Sequence, residues 1–474
     1  MSQPMVIVNP EFDYTPHARA SSTPFQLSVP PVSSQPEVVI DQSAVQGPIQ
    51  FLLSSRVFNL AKSSLRFGVE IPAQGGTNHA WLNGNLSSII SRITIYSQQT
   101  GTILCDTSNL DRVAGTITPL LKKDDELFST ASSPYTTSTT AVPTLYTSEV
   151  LARRNVVSCL NMSNALVNPT TSAQQTDYTG AYTGRRQSFV STTGSGSGPA
   201  DVAHYIYCDL LLSDLLPFSV ASIDKMLWFG GENLLVDVYF NAGNRFCWVA
   251  PSATNPIASG ATAYSDTILI TYPTIQLQCE QDASAIAQIT TAVREAGIEL
   301  PMPYLFVNKA ALSGDSQNYS TQITRAMGSS LQAIFYALYN SSEQNATAQD
   351  HSFASMFGGS TGVVYQSQLD NQPVRNPAGF NVMNSDQYVL NKDFIKGSCV
   401  KTFPMFQIDS AHIDSWVGRL VDYDPCARQG VSLVDNRTIS WELNGASLPA
   451  CRLYMMIVAQ KTLLMSGAGL RLIS

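Results

Sequence analysis

The chain has 474 residues, 44% of them apolar and only 13% charged, against about 25% charged in an average soluble domain. Its length is too great for one ordinary core, and its apolar content argues against disorder, so two or three domains are expected. The net charge of −8 speaks against a phosphate-neutralising grip on nucleic acid, and a surface that replaces charge with Ser, Thr, Asn and Gln suits burial against other subunits.

Residues 1–47 contain Pro4, Pro10, Pro16, Pro24, Pro30, Pro31 and Pro36, and their only charged side chains are Glu11, Asp13, Arg19, Glu37 and Asp41. This composition predicts an extended N-terminal arm, ordered only by lying on something else and too poor in Lys and Arg to hold a genome. The first β-rich domain is expected over 48–281. It opens at Phe51-Leu52-Leu53 and runs into 65–71, where Leu65, Phe67, Val69 and Ile71 share one face and Arg66, Gly68 and Glu70 the other.

The stretch 83–118 predicts a complete unit. Asn83-Gly84 marks a turn, Ile93 and Ile95 alternate with Arg92, Thr94 and Tyr96, and Gln98-Gln99-Thr100-Gly101 reverses the chain into Ile103-Leu104-Cys105. Asp106, Ser108 and Asn109 then offer caps for a short helix over 110–113. From about 120 to 200 the text changes. Lys122-Lys123-Asp124-Asp125-Glu126 gives way to a Ser/Thr-rich run with no charge from 127 through 148, and the segment closes on Gly194-Ser195-Gly196-Ser197-Gly198. That reads as a long excursion from one end of a sandwich.

Strands resume at 204–210, and Val236, Val238 and Phe240 later alternate with Asp237 and Tyr239. The last strand of this half spans 268–280, where Pro273 requires an edge position or a bulge. A helix follows over 282–297, capped by Asp282 or Ser284, striped with Ile286, Ile289 and Val293, and ended by Gly297. It is the expected connector to a second β-rich domain over 298–474. That domain opens at 298–307, continues through 322–336, alternates Ile439, Trp441 and Leu443 into an Asn444-Gly445 turn, and closes on 453–465.

Chemistry is thinly represented. Gly358-Gly359-Ser360-Thr361-Gly362 matches a nucleophile elbow near Asp350 and His351, but a helix-like run precedes it and a strand-like run follows, the reverse of what that mechanism needs. Asp409, His412 and Asp414, with Asp422 and Asp424 nearby, read as solvated loop acids, because five histidines spread over the chain do not make a transition-metal site. Trp441 is expected in a core and Trp81 near the surface. The 8 cysteines show no CxxC pair, the start shows no basic-then-apolar leader pattern, and no run of about 18 apolar residues is present. Reduced, buried thiols are expected. No catalytic, cofactor-binding or metal residue is assigned, and no cofactor.

Four passages, at 83–118, 215–240, 322–336 and 366–390, resemble in order segments of the double jelly-roll major capsid proteins of Polinton-like viruses and virophages; the fourth resembles the family's loop and helix but lacks its Arg-x-Gly. The resemblance implies an all-β fold of two tandem eight-stranded jelly rolls joined by a short helix. It further implies a non-enzymatic virion protein, assembled inside the host cell as homotrimers of pseudo-hexameric outline. These would tile an icosahedral shell around a double-stranded DNA genome, beside neighbouring capsomers, penton and minor capsid proteins, without direct sequence-specific nucleic acid binding; membrane contact stays open. Two rivals differ in what they expect. A tandem β-sandwich carbohydrate-binding protein expects exposed aromatics on one face and a monomer, and a cupin-like or hydrolase-like β-enzyme expects clustered His and carboxylates.

Overall fold

The computed structural model describes residues 24–33, 37–71, 79–82, 86–113, 190–192, 204–250, 262–313, 316–340, 364–373, 380–381, 431–445 and 450–474. In the first half the strands are β1 (Phe25–Val29), β2 (Glu37–Ile40), β3 (Gln46–Leu53), β4 (Val57–Ile71), β5 (His79–Leu82), β6 (Ile90–Ser97) and β7 (Ile103–Ser108). They are followed by β8 (Val190–Thr192), β9 (His204–Leu211), β10 (Leu227–Trp228), β11 (Leu234–Phe240), β12 (Cys247–Ala250), β13 (Thr262–Ala263) and β14 (Ile268–Cys279). One sheet has the order β1-β14-β4-β10, with β2 added to β14 and β9 to β4; a second has the order β3-β11-β6-β7; a small third runs β13-β12-β5-β8.

Period-two alternation accounts for the way the two large sheets meet. In β11, Leu234, Val236, Val238 and Phe240 are buried while the residues between them are half-buried. They share a core with Phe51 and Ile93 of their own sheet and Phe67, Val69 and Ile275 of the other. Phe67 meets Phe240 edge-on at 5.5 Å. Of the 83–118 unit, residues 86–113 are described and form strand, turn, strand and helical turn as expected, while Asn83-Gly84 and 114–118 lie outside the described residues. Gly101 takes φ +68 at the β6–β7 turn, and the amides of Arg112 and Val113 both donate to the Asn109 carbonyl, opening a helical turn at 110–113.

The expected arm departs from its sequence reading. Residues 25–29 pair with 275–279 and residues 37–40 with 268–271 of β14, so sheet pairing begins at Phe25 and not at residue 48. Ile40 is fully buried there. Pro30 and Pro31 end the first of two short pieces at a sheet edge, where proline is tolerated and where each piece is too short to show a period. β14 in turn lies between β1 and β4, so Pro273 is not at an edge. The bulge is the alternative that forms: register against β4 slips between Thr271 and Thr274, and Tyr272 takes φ +47.

Helix α1 (Ala283–Glu295) links the halves. The Asp282 carboxylate accepts from the Ser284 amide at 2.9 Å, and Gly297 leaves the helix at φ +69. The second half comprises β15 (Ile298–Leu312), β16 (Ser316–Ile323), β17 (Ser330–Asn340), β18 (Val364–Leu369), β19 (Gln372–Pro373), β20 (Phe380–Asn381), β21 (Val431–Ser432), β22 (Arg437–Asn444), β23 (Cys451–Ser466) and β24 (Gly469–Ile473). Its sheets run β15-β23-β17-β21, with β24 on β23, and β16-β22-β18-β19, with β20 on β18. Along these orders the second half repeats the first: β15, β23, β17 and β21 stand where β1, β14, β4 and β10 stand, and β16-β22-β18-β19 where β3-β11-β6-β7 stands. The same winding occurs twice in tandem, which is a double jelly roll.

Two details differ from the sequence reading. The described part of 366–380 is a hairpin where the resemblance implies a loop. Asp370 and Asn371 occupy its turn at φ 52 and 63, the left-handed pair that matches strand twist. The Thr438 amide, and after it the Arg437 guanidinium, hold the Asp370 carboxyl below the usual carboxylate range. The closing strand 453–465 is β23, and β24 returns alongside it. The excursion at 120–200 lies outside the described residues apart from β8, as do residues 384–390 and 446–449.

The rolls are joined by more than the helix. The core of the first roll includes Met302, Tyr304, Leu463, Met465 and Leu470 from the second, and Phe218 stacks on Phe335 at 5.7 Å. Cys105, Cys208, Cys247 and Cys279 are buried, reduced thiols. Burial pushes Cys105 up to about 11, so at pH 8 only about one molecule in a thousand carries the thiolate, the reactive form. Cys105 should therefore resist iodoacetamide in the native protein and react on unfolding, as peptide mapping would show. The folded state holds this proton more tightly than the unfolded chain, whose thiol titrates near 9.0. The stabilisation is complete below that pH and lost as pH rises towards 11.

Candidate assembly surfaces

The alternation that turns Val236 and Val238 inward turns Asp237 and Tyr239 outward, and β3 and β6 do the same with Gln50, Arg92, Thr94 and Tyr96. These side chains are tied across the outer face of β3-β11-β6-β7. Gln50 Nε2 donates to Asp237 Oδ1 at 2.9 Å and to the Tyr96 hydroxyl at 3.1 Å. Arg92 grips Asp106 through two bonds of 2.7 Å each, and the Thr94 hydroxyl donates to the same carboxylate at 3.2 Å. The Arg92 guanidinium also lies 5.7 Å from the centre of the Tyr239 ring. Hydrogen bonding to Asp106 raises the Arg92 pKa, and burial, then the Asp237 charge, raises that of Tyr96. The result is a wall whose polar side chains are ordered before anything docks, so less side-chain entropy is lost on association.

Exposed apolar side chains are distributed over both rolls. The Val32 amide donates to the Gln50 carbonyl at 2.8 Å, which sets exposed Val32 and Leu52 beside the wall just described. Val39 and Tyr272 are exposed on the opposite sheet, and Val434 on the second roll. Trp228 and Trp441 are buried, and Trp81 and Trp248 sit opposite each other in the β5–β12 register.

Gly358 to Gly362, Asp350 and His351, and the acids and histidine at 409–424 lie outside the described residues. Among the described residues no group of three or more His, Cys, Asp or Glu is placed to hold a metal, and no helix is long and apolar enough to cross a membrane. One residue of consequence went unremarked in the sequence: Glu232, nearly buried where the two rolls touch. Its signal is an acid directly after Gly230-Gly231 in an otherwise apolar run.

No family model and no curated protein matches the chain. Solved structures do. A chain of the Sputnik virophage, determined by cryo-EM, is 10% identical and superposes with a TM-score of 0.53, over 99% of this chain and 93% of that one. A chain of the PBCV-1 virus capsid is likewise 10% identical, with a TM-score of 0.50 over 96% of this chain and 97% of that one. At that identity the likeness is one of fold, carried over nearly the whole of each chain, and the fold of this protein is the double jelly roll.

Proposed function

We propose that the chain is a major capsid protein, a structural and non-catalytic subunit of an icosahedral virion. The observation that carries this reading is the repeated jelly-roll winding, matched over almost its full length by chains of the Sputnik virophage and the PBCV-1 capsid. Composition supports it, since a surface with little charge is suited to lying against neighbours. The ordered outer wall of the first roll supports it too. In this reading three copies close into a trimer of pseudo-hexameric outline, and trimers tile a shell around double-stranded DNA with penton and minor capsid proteins. The first roll extends to residue 281, the connector covers 282–297 and the second roll 298–474. The strands β1 and β2 belong to the first roll, which leaves the arm as the residues before Phe25. Contact with the genome falls to other proteins, as the acidic balance of the chain supports.

Light scattering with negative-stain imaging tests this. A mass three times 51.3 kDa with hexagonal particles is expected. A monomer at all concentrations would overturn the reading in favour of a tandem β-sandwich binding protein.

A further inference from the structure

Two turns, one from each roll, are nested against the end of the connector helix. The turn between β10 and β11 contains Gly230 at φ +64 and Gly231 at φ +88, and the turn between β23 and β24 ends on Gly469 at φ +111. A Cβ on Gly230 would stand 2.5 Å from the Ser466 carbonyl oxygen, and one on Gly469 would collide with the Glu232 carboxylate. Backbone therefore lies on backbone. The last turn of α1 closes the third side: Gly467 packs on Arg294, whose guanidinium is 5.0 Å from the centre of the Trp228 ring.

Glu232 sits in the middle of this joint, 6% exposed. Its Oε1 accepts the Leu470 amide at 2.7 Å, and its Oε2 accepts the Thr100 hydroxyl at 3.0 Å and the Ser97 hydroxyl. The Thr102 hydroxyl completes the link by donating to the Leu470 carbonyl at 3.3 Å. One carboxylate thus collects donors from the β6–β7 turn of the first roll and from the backbone of β24 in the second. Both backbone groups of Leu470 point away from β23 and are met by the first roll, so the same contact covers the open edge of β24.

We infer that Glu232 is a positioning residue that fixes the second roll against the first. A carboxylate suits the place because each of its partners donates, and a buried charge is tolerated when several donors surround it. The clasp is contained within one chain and does not depend on the capsid reading. Its consequence does: in a shell, the set of the two rolls is the outline each copy offers its neighbours.

Hydrogen–deuterium exchange on the full-length chain tests the clasp. Glu232→Ala should speed exchange across 466–473 by about tenfold, the loss expected for charge-assisted bonds, while Glu232→Gln should recover most of the protection. The amide oxygen can accept from Leu470, and its NH2 can donate to the hydroxyls. Genetically encoded spin labels at Val39 and Val434, both exposed and on different rolls, should give a broader distance distribution in Glu232→Ala and a near-native one in Glu232→Gln. If Glu232→Ala does not fold, Thr100→Val removes a single donor and should speed exchange in 466–473 by about two- to fivefold. Unchanged exchange and an unchanged distance distribution would overturn the inference. Both readouts are made on the purified chain, so they stand whether or not it forms trimers.

Discussion

Deleting residues 1–40 is expected to destabilise the first roll by several kcal/mol and to make the protein aggregate, whereas a deletion ending at residue 23 keeps both strands that matter. β1 and β2 pair with almost the full length of β14. They bury Val29 and Ile40 and pack Phe25, Leu27 and Val38 against the core. Full burial of one such side chain is worth about 1.5–3 kcal/mol, and five are lost together, some of them only partly buried. Removing β1 and β2 also turns β14 into an open edge with Ile270, Ile275 and Leu277 on its inner face, a template for pairing with another chain. The check is thermal unfolding with turbidity on the full chain and both deletions. A 1–40 deletion that melts within about 2 °C of the full chain, where each kcal/mol moves the midpoint by a few degrees, would show that these strands contribute little.

The same segment shows why parts of the fold were readable in the sequence and parts were not. Local rules sufficed where one element carries its own signal: the alternation of 234–240, the Asp282 cap and Gly297 stop around α1, the turn at Gly101, the apolar flanks of Trp441. Pairing order could not be read, because β1 meets β14 across the whole roll and no residue of either names the other. For Pro273 the local rule left two outcomes, and only the presence of β1 beyond β14 decides between them. At the hairpin of Asp370 and Asn371, the pattern similarity pointed to a loop, while the tolerance of both residues for positive φ was the better guide. The outer wall was half legible. Alternation placed Asp237 and Arg92 outward, but their partners, Gln50 and Asp106, come from other strands. Glu232 offered only the signal of an acid after two glycines, since Ser97, Thr100 and Leu470, the donors to its carboxylate, are all distant in sequence.

Trp441→Ala is expected to cost roughly 3–5 kcal/mol, and the cost should fall on one roll. Trp441 is 2% exposed on β22, in register with Tyr319 of β16 and Ser367 of β18. Its core holds Leu312, Ile323, Leu331, Ile334, Leu433, Ile439, Leu453, Met455, Ile457 and Ala459, all from the second roll. The first roll is not self-contained in this way. β23 gives Leu453, Met455, Ile457 and Ala459 to the second core but Leu463 and Met465 to the first, and β15 likewise gives Leu312 to one and Met302 and Tyr304 to the other. A single strand therefore carries load for both rolls, and damage should spread in one direction only. In Trp441→Ala, amide exchange should rise in β16, β18 and β22 while β4, β6, β11 and β14 stay protected. In Leu463→Ala, which removes a fully buried side chain from the shared end of β23, exchange should rise in the first roll and in β24 together. Equal exposure of every strand in Trp441→Ala would mean that the rolls unfold as one unit, and that the shared strands couple them more tightly than their separate cores hold them apart.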